Sequence, residues 1–120
     1  MKRVLDVGNC VPDHAAIREL VQQHFDAEVD QAHQSADALE ALNRRDYDLV
    51  LVNRKLDCDY SEGTEVIRKM KAAGAEVPVM LVTNYSEHQD AAVELGAVPG
   101  FGKLALQAPE TLELLRGYLA

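Results

Sequence analysis

Asp57 and Asp59 lie two residues apart in a stretch without apolar periodicity. Such loop carboxylates could accept a phosphoryl group or share a hard cation, or simply stay solvated. Cys10 and Cys58 are the only thiols. They could form a redox pair if the fold brought them together, or remain two reduced thiols. His14 and His88 carry ring nitrogens suited to metals or protons, but no ligand spacing links them, and surface positions are expected. Asp6 sits inside an apolar run, where a carboxylate is costly unless paired or protonated. Arg54, Lys55, Arg68, Lys69 and Lys71 gather positive charge, either as a basic patch or as a solvated face. Set against these charged candidates is Asn53, a neutral amide that closes the run Leu49, Val50, Leu51, Val52. An amide cannot act as a carboxylate nucleophile.

These residues need elements to hold them. Residues 48–53 read as a strand buried on both faces, as in the middle of a parallel sheet. Residues 3–7 and 77–83 give similar signals, with Pro78 where a missing N–H matters least. Residues 26–32 are a weaker strand near an edge, and 97–102 a short, glycine-rich fifth strand. Helical spacing follows each strand. Ile17, Leu20, Val21 and Phe25 form one face after Pro12 and Asp13, with Asp13 placed for the helix dipole. Ser35 is expected to cap a helix facing inward through Ala38, Leu39 and Leu42. Val66, Ile67 and Met70 belong to a helix over 64–73, stopped by Gly74. Ser86 is expected to cap a helix containing Ala92 and Leu95, and Pro109 opens the last one.

Strand and helix alternating five times predicts right-handed crossovers and an α/β, flavodoxin-like (βα)5 three-layer sandwich. The five-stranded parallel sheet is expected in the order 2-1-3-4-5. Ligands of such sheets bind at the carboxyl ends of the strands. Gly8, Asn9, Asn53, Thr83 and Lys103 fall at that edge.

Taken in order, residues 48–52, residues 79–83 ending on Thr83, and Gly96-Ala97 with Lys103 seven positions after Gly96 resemble a response-regulator receiver domain. The resemblance covers essentially all of residues 1–120, expected as a single receiver-like domain. It implies a bacterial, two-component signalling module rather than an enzyme. In that family an aspartate ends the third strand, accepts the phosphoryl group and holds Mg²⁺ with two acidic residues after the first strand. Carried over, the acceptor position is Asn53 and the acidic pair falls on Gly8 and Asn9, while Thr83 and Lys103 are retained. With all three acidic positions neutral, no Mg²⁺ is expected. Lys103 is expected to pair with Asp57 or Asp59, or to hold an anion. Gly63 lies ten residues after Asn53, about two more than the family pattern, and Leu104 replaces the proline after the lysine. The family's aromatic switch position falls on Gly100. Phe101 is one place along, on the opposite face unless a bulge re-aims it.

The chain has 120 residues, 48% hydrophobic and 27% charged, with a net charge of -8. That suits one domain with a core and disfavours nucleic acid as a partner. No run is long enough to span a membrane and no signal-peptide core is visible, so a cytoplasmic protein is expected. The leading expectation is a degenerate receiver, a pseudo-receiver acting by protein–protein contact. Tyr85, Pro99 and Phe101 are the expected partner surface, with homodimerisation through the fourth helix, fifth strand and fifth helix as one use of it. The alternatives are a phosphoryl-accepting receiver with Asp57 or Asp59 as acceptor, and a sensor of anions or small ligands using Thr83 and Lys103.

Overall fold

The computed structural model describes residues 1–120. Strand β1 (Lys2–Val7) leads into α1 (Val11–His24), β2 (Ala27–Ala32) into α2 (Ser35–Arg44), and β3 (Leu49–Asn53) into α3 (Gly63–Ala72). Strand β4 (Val79–Val82) precedes α4 (Ser86–Glu94), and α5 (Pro109–Leu119) closes the chain. The strands are parallel in the order β2-β1-β3-β4, as the flavodoxin-like reading requires.

The period-2 pleat divides the core. Leu5, Val7, Val50, Val52, Val79 and Leu81 face Ala38 of α2, Val66, Ile67 and Met70 of α3, and Ala92 of α4. Val4, Leu49, Leu51, Met80 and Val82 face the other way, onto Ile17, Leu20 and Val21 of α1 and Leu115 and Leu119 of α5. Strands covered on both sides carry continuous apolar runs, which is why β3 and β4 have no polar alternation.

The expected fifth strand is reduced to one parallel bridge, Met80 with Val98. Residues 97–102 do run beside β4, with Val98 N donating to Val79 O at 2.9 Å and Thr83 N to Phe101 O at 3.0 Å. Between these points Pro99 has no N–H to give. The Gly100 N–H is taken at 2.9 Å by Oε1 of Gln89, whose Nε2 donates to Leu81 O at 2.8 Å. A side chain of α4 thus supplies the link that a strand ladder would otherwise make.

Two helix caps differ from expectation. Ser35 and Ser86 are the first residues of their helices rather than the caps. Gln34 caps α2 instead, and the Asp37 carboxylate accepts from the N–H groups of His33 and Gln34 at 2.8 and 2.7 Å. Asp37 supplies a better acceptor from within the first turn and satisfies two backbone donors together.

Candidate functional site

The carboxyl ends of β1, β3 and β4 converge at the top of the sheet. Asn53 ends β3 there, half-exposed. Its Nδ2 donates to Lys55 O at 2.7 Å and to Gly8 O at 3.3 Å. Two carbonyl acceptors dictate that the NH₂ end of the amide faces them; an aspartate here would turn oxygen against oxygen. Gly8 O accepts also from Asp57 N at 2.9 Å, which ties the β1–α1 and β3–α3 loops together.

Gly8 has φ +81°, and a Cβ built on it would lie 2.5 Å from Cγ of Leu56. Leu56 is fully buried in the loop after β3 and held by its N–H on Ser61 O at 2.9 Å. The space that a side chain at position 8 would take is therefore filled by leucine. Asn9 is buried, with Nδ2 2.5 Å from Oδ1 of Asp6. Its own Oδ1 is buried without a partner.

Asp6 is completely buried on β1, and its Oδ2 lies 2.7 Å from Nδ1 of His14. Loss of water raises the Asp6 pKa above its ordinary value, against the opposing pull of the hydrogen bonds from His14 and Asn9. His14, expected at the surface, is instead only 16% exposed and packed against this carboxyl. A buried acid in a central strand needs a partner, and the first turn of α1 supplies it.

Lys103 pairs with neither Asp57 nor Asp59. Its Nζ lies 2.7 Å from Oδ2 of Asp13, an oxygen that also accepts from Cys10 Sγ at 3.2 Å. The Lys103 hydrogen bond is the main cause holding the Asp13 carboxyl below its ordinary pKa. The crossover geometry brings the start of α1 and the 3-10 turn Lys103–Ala105 to one place, 90 residues apart in sequence. Lys103 is set there by Gly102: a Cβ at that position would collide with Asn84, whose Oδ1 accepts from Leu104 N at 3.0 Å.

The two loop aspartates are exposed, and Asp59 is engaged locally by Ser61 N and Oγ at 2.9 and 2.7 Å. That pair of hydrogen bonds lowers the Asp59 pKa. Cys10 and Cys58 are both unbridged, Cys58 donating to His33 O at 3.1 Å. His88 packs edge-on against Tyr85, ring centroids 5.8 Å apart.

Thr83 is buried at the end of β4, its Oγ1 accepting from Tyr85 N at 3.3 Å. Gly100, at the family's aromatic position, has no room for a side chain: a Cβ would meet Leu81 O and the Gln89 amide. Phe101, expected at an exposed partner surface, is instead buried on the α1–α5 side with Val4, Met80 and Leu115. The one-residue offset flips it into the core. Tyr85 is 56% exposed and Pro99 is exposed, so these two do face solvent.

Mg²⁺ binds hard oxygen donors, chiefly carboxylates. The residues here do not fit it. Asn53 presents NH₂ to the carbonyls, Gly8 offers no side chain, and both oxygens of Asp6 are already contacted by Asn9 and His14.

A parallel sheet sandwiched by helices, with threonine and lysine at its carboxyl edge, defines a receiver-type signalling domain. The sequence matches the response regulator receiver domain family over residues 9–103, and the chain belongs to that family. It is 33% identical over 98 residues to sporulation initiation phosphotransferase F of Bacillus subtilis (strain 168), covering 78% of this chain and 77% of that one. It superposes on the receiver domain of NtrX from Brucella abortus with a TM-score of 0.73 at 25% identity, over 92% of this chain and 98% of that one. Chemotaxis protein CheY4 of Vibrio cholerae shares the fold, with a TM-score of 0.78 at 19% identity over 99% of both chains. The chain spans 29% of a longer NtrX structure from Brucella abortus, with 96% of this chain covered. No helix is long and apolar enough to cross a membrane.

Proposed function

We propose that this receiver is a pseudo-receiver, a single unit over residues 1–120 that works without aspartyl phosphorylation and without Mg²⁺. Asn53 carries the reading. Its amide nitrogen bridges the Gly8 and Lys55 carbonyls, in a place where an acceptor aspartate would need a cation to be tolerated. Leu56 packed over Gly8 and Gln89 closing over Gly100 support it, because they fill the space of the first residue of the acidic pair and that of the aromatic switch.

Signalling then falls to protein–protein contact in the cytoplasm, with neither nucleic acid nor membrane as partner. Tyr85 and Leu104, the latter 90% exposed, border a shallow groove between α4 and the 3-10 turn, and the exposed Pro99 precedes Gly100 of its lining. Exposed aromatic and aliphatic side chains on such a face suit a protein partner, a second copy of the chain being the simplest.

Incubation with a small phosphodonor and Mg²⁺, followed by intact mass, tests the reading. The expected spectrum is unmodified protein. An adduct of one phosphoryl group overturns it, and its loss in Asp57→Asn or Asp59→Asn would then locate a displaced acceptor.

A further inference from the structure

Beside Asn53 the sheet edge opens into a cavity of about 270 Å³ lined by eight residues, among them Arg54, Lys55, Thr83, Tyr85 and Lys103. It has three cations and no carboxylate in its lining, in a chain whose net charge is -8. Arg54 and Lys55 make no ion pair with any carboxylate. Their backbones are nonetheless fixed. Arg54 N donates to Val82 O at 3.1 Å, and Arg54 O accepts from Gly63 N at 2.7 Å. The Lys55 backbone forms an isolated antiparallel β-bridge with that of Glu62, and its carbonyl accepts from Asn53 Nδ2. Thr83 Oγ1 accepts from Tyr85 N, which leaves its own proton free to donate.

We propose that this cavity reversibly binds a free phosphate monoester, its dianion held by Arg54, Lys55 and the Thr83 hydroxyl with the organic part against Tyr85. The proposal rests on the pseudo-receiver reading, since a carboxylate at position 53 would repel the dianion. Arginine and lysine here serve the purposes they suit best: a planar fork for phosphate oxygens and a compact point charge. The cavity approaches the lower end of small-molecule sites in size, which leaves room for a body beyond the phosphate. Repulsion from the acidic surface is screened beyond a Debye length of about 8 Å at physiological salt. Lys103 is the third cation, but Asp13 occupies it at 2.7 Å. A bound dianion competes with Asp13 for Lys103, so occupancy is coupled to the start of α1.

The test is a titration of the whole chain, at constant ionic strength, with inorganic phosphate, adenosine monophosphate and adenosine, followed by backbone amide shifts. Saturable shifts at Arg54, Thr83 and Tyr85 are expected with both phosphates and not with adenosine, the monoester binding tighter. Replacing Arg54 and Lys55 together by alanine should weaken binding at least about tenfold, whereas Asp13→Asn should tighten it several-fold by releasing Lys103. Both sites lie at the surface, and unchanged far-UV circular dichroism confirms that the variants fold. Equal affinity in the Arg54/Lys55 variant, or no saturable shift up to about 10 mM phosphate, overturns the proposal. Because inorganic phosphate donates no phosphoryl group, this outcome is independent of the mass test for covalent modification.

Discussion

An amide in place of an acid changes both the bond that can be made and the neighbours that can be kept. Restoring aspartate at position 53 should not recreate a working acceptor. In Asn53→Asp the Gly8 and Lys55 carbonyls lose their donor and face a carboxylate instead. We expect a loss of about 1–3 kcal/mol in urea unfolding, and still no phosphoryl adduct by intact mass. Two other carboxylates titrate with opposite signs. The Asp6 pKa is raised by burial, so its contribution to stability is complete below the unfolded value of 3.8 and is lost as pH rises through the folded value. The Asp13 pKa is lowered by Lys103, so its contribution is present above 3.8 and is lost as pH falls through the folded value. Asp13→Asn should flatten the acid limb of a stability profile. Asp6→Asn should flatten the decline above it, because the amide does not titrate, and Asn9 can rotate to offer its unpartnered Oδ1 to the new NH₂. Urea midpoints measured between about pH 3 and pH 7 check both signs.

At the scale of elements, the segment after α4 shows how a missing strand is replaced. Gln89 holds residues 97–102 against β4 by bonding Leu81 O and Gly100 N. Gln89→Ala should cost about 1–2 kcal/mol and speed hydrogen exchange at Gly100 and Val98, with the β1–β3 amides unaffected. Gly102→Ala should displace Asn84, release Leu104 N and shift Lys103 away from Asp13. Its signature is a rise in the Asp13 pKa seen by NMR titration, even where the fold survives. Leu56 is the other device of this kind. It is an apolar plug in a loop whose sequence shows no periodicity, and Leu56→Ala should cost about 2–5 kcal/mol.

The whole molecule presents a cleft at the sheet edge and an open face beside α4. With Phe101 in the core and Gln89 at the switch position, Thr83 has no mobile aromatic partner to follow it. On the pseudo-receiver proposal, a message from this domain depends on what docks beside Tyr85 and Leu104. Leu104→Asp should leave thermal stability within about 0.5 kcal/mol, since that side chain is 90% exposed. If the partner is a second copy, sedimentation should show a concentration-dependent dimer in the native chain and a monomer in the variant. Monomers in both would remove self-association and leave a different protein for that face.

Periodicity alone fixed the alternating α/β order, the apolar strands of the sheet centre and the placing of Asn53, Gly8 and Asn9 at their carboxyl edge. Those features repeat every two or 3.6 residues and are written locally. Once the resemblance to receiver domains marked the three acidic positions, the absence of acids there was equally legible, because it is a matter of residue identity. What needed the folded chain were the pairings: Asp13 with Lys103, Asp6 with His14, Leu56 over Gly8, Gln89 on the fifth segment. Each joins residues that no short-range rule connects. The burial of Phe101 and the loss of the fifth strand were decided there too, by a one-residue shift of face and a proline that cannot donate. Side-chain partners depend on where separate elements cross, and only the assembled sheet and its helices set that.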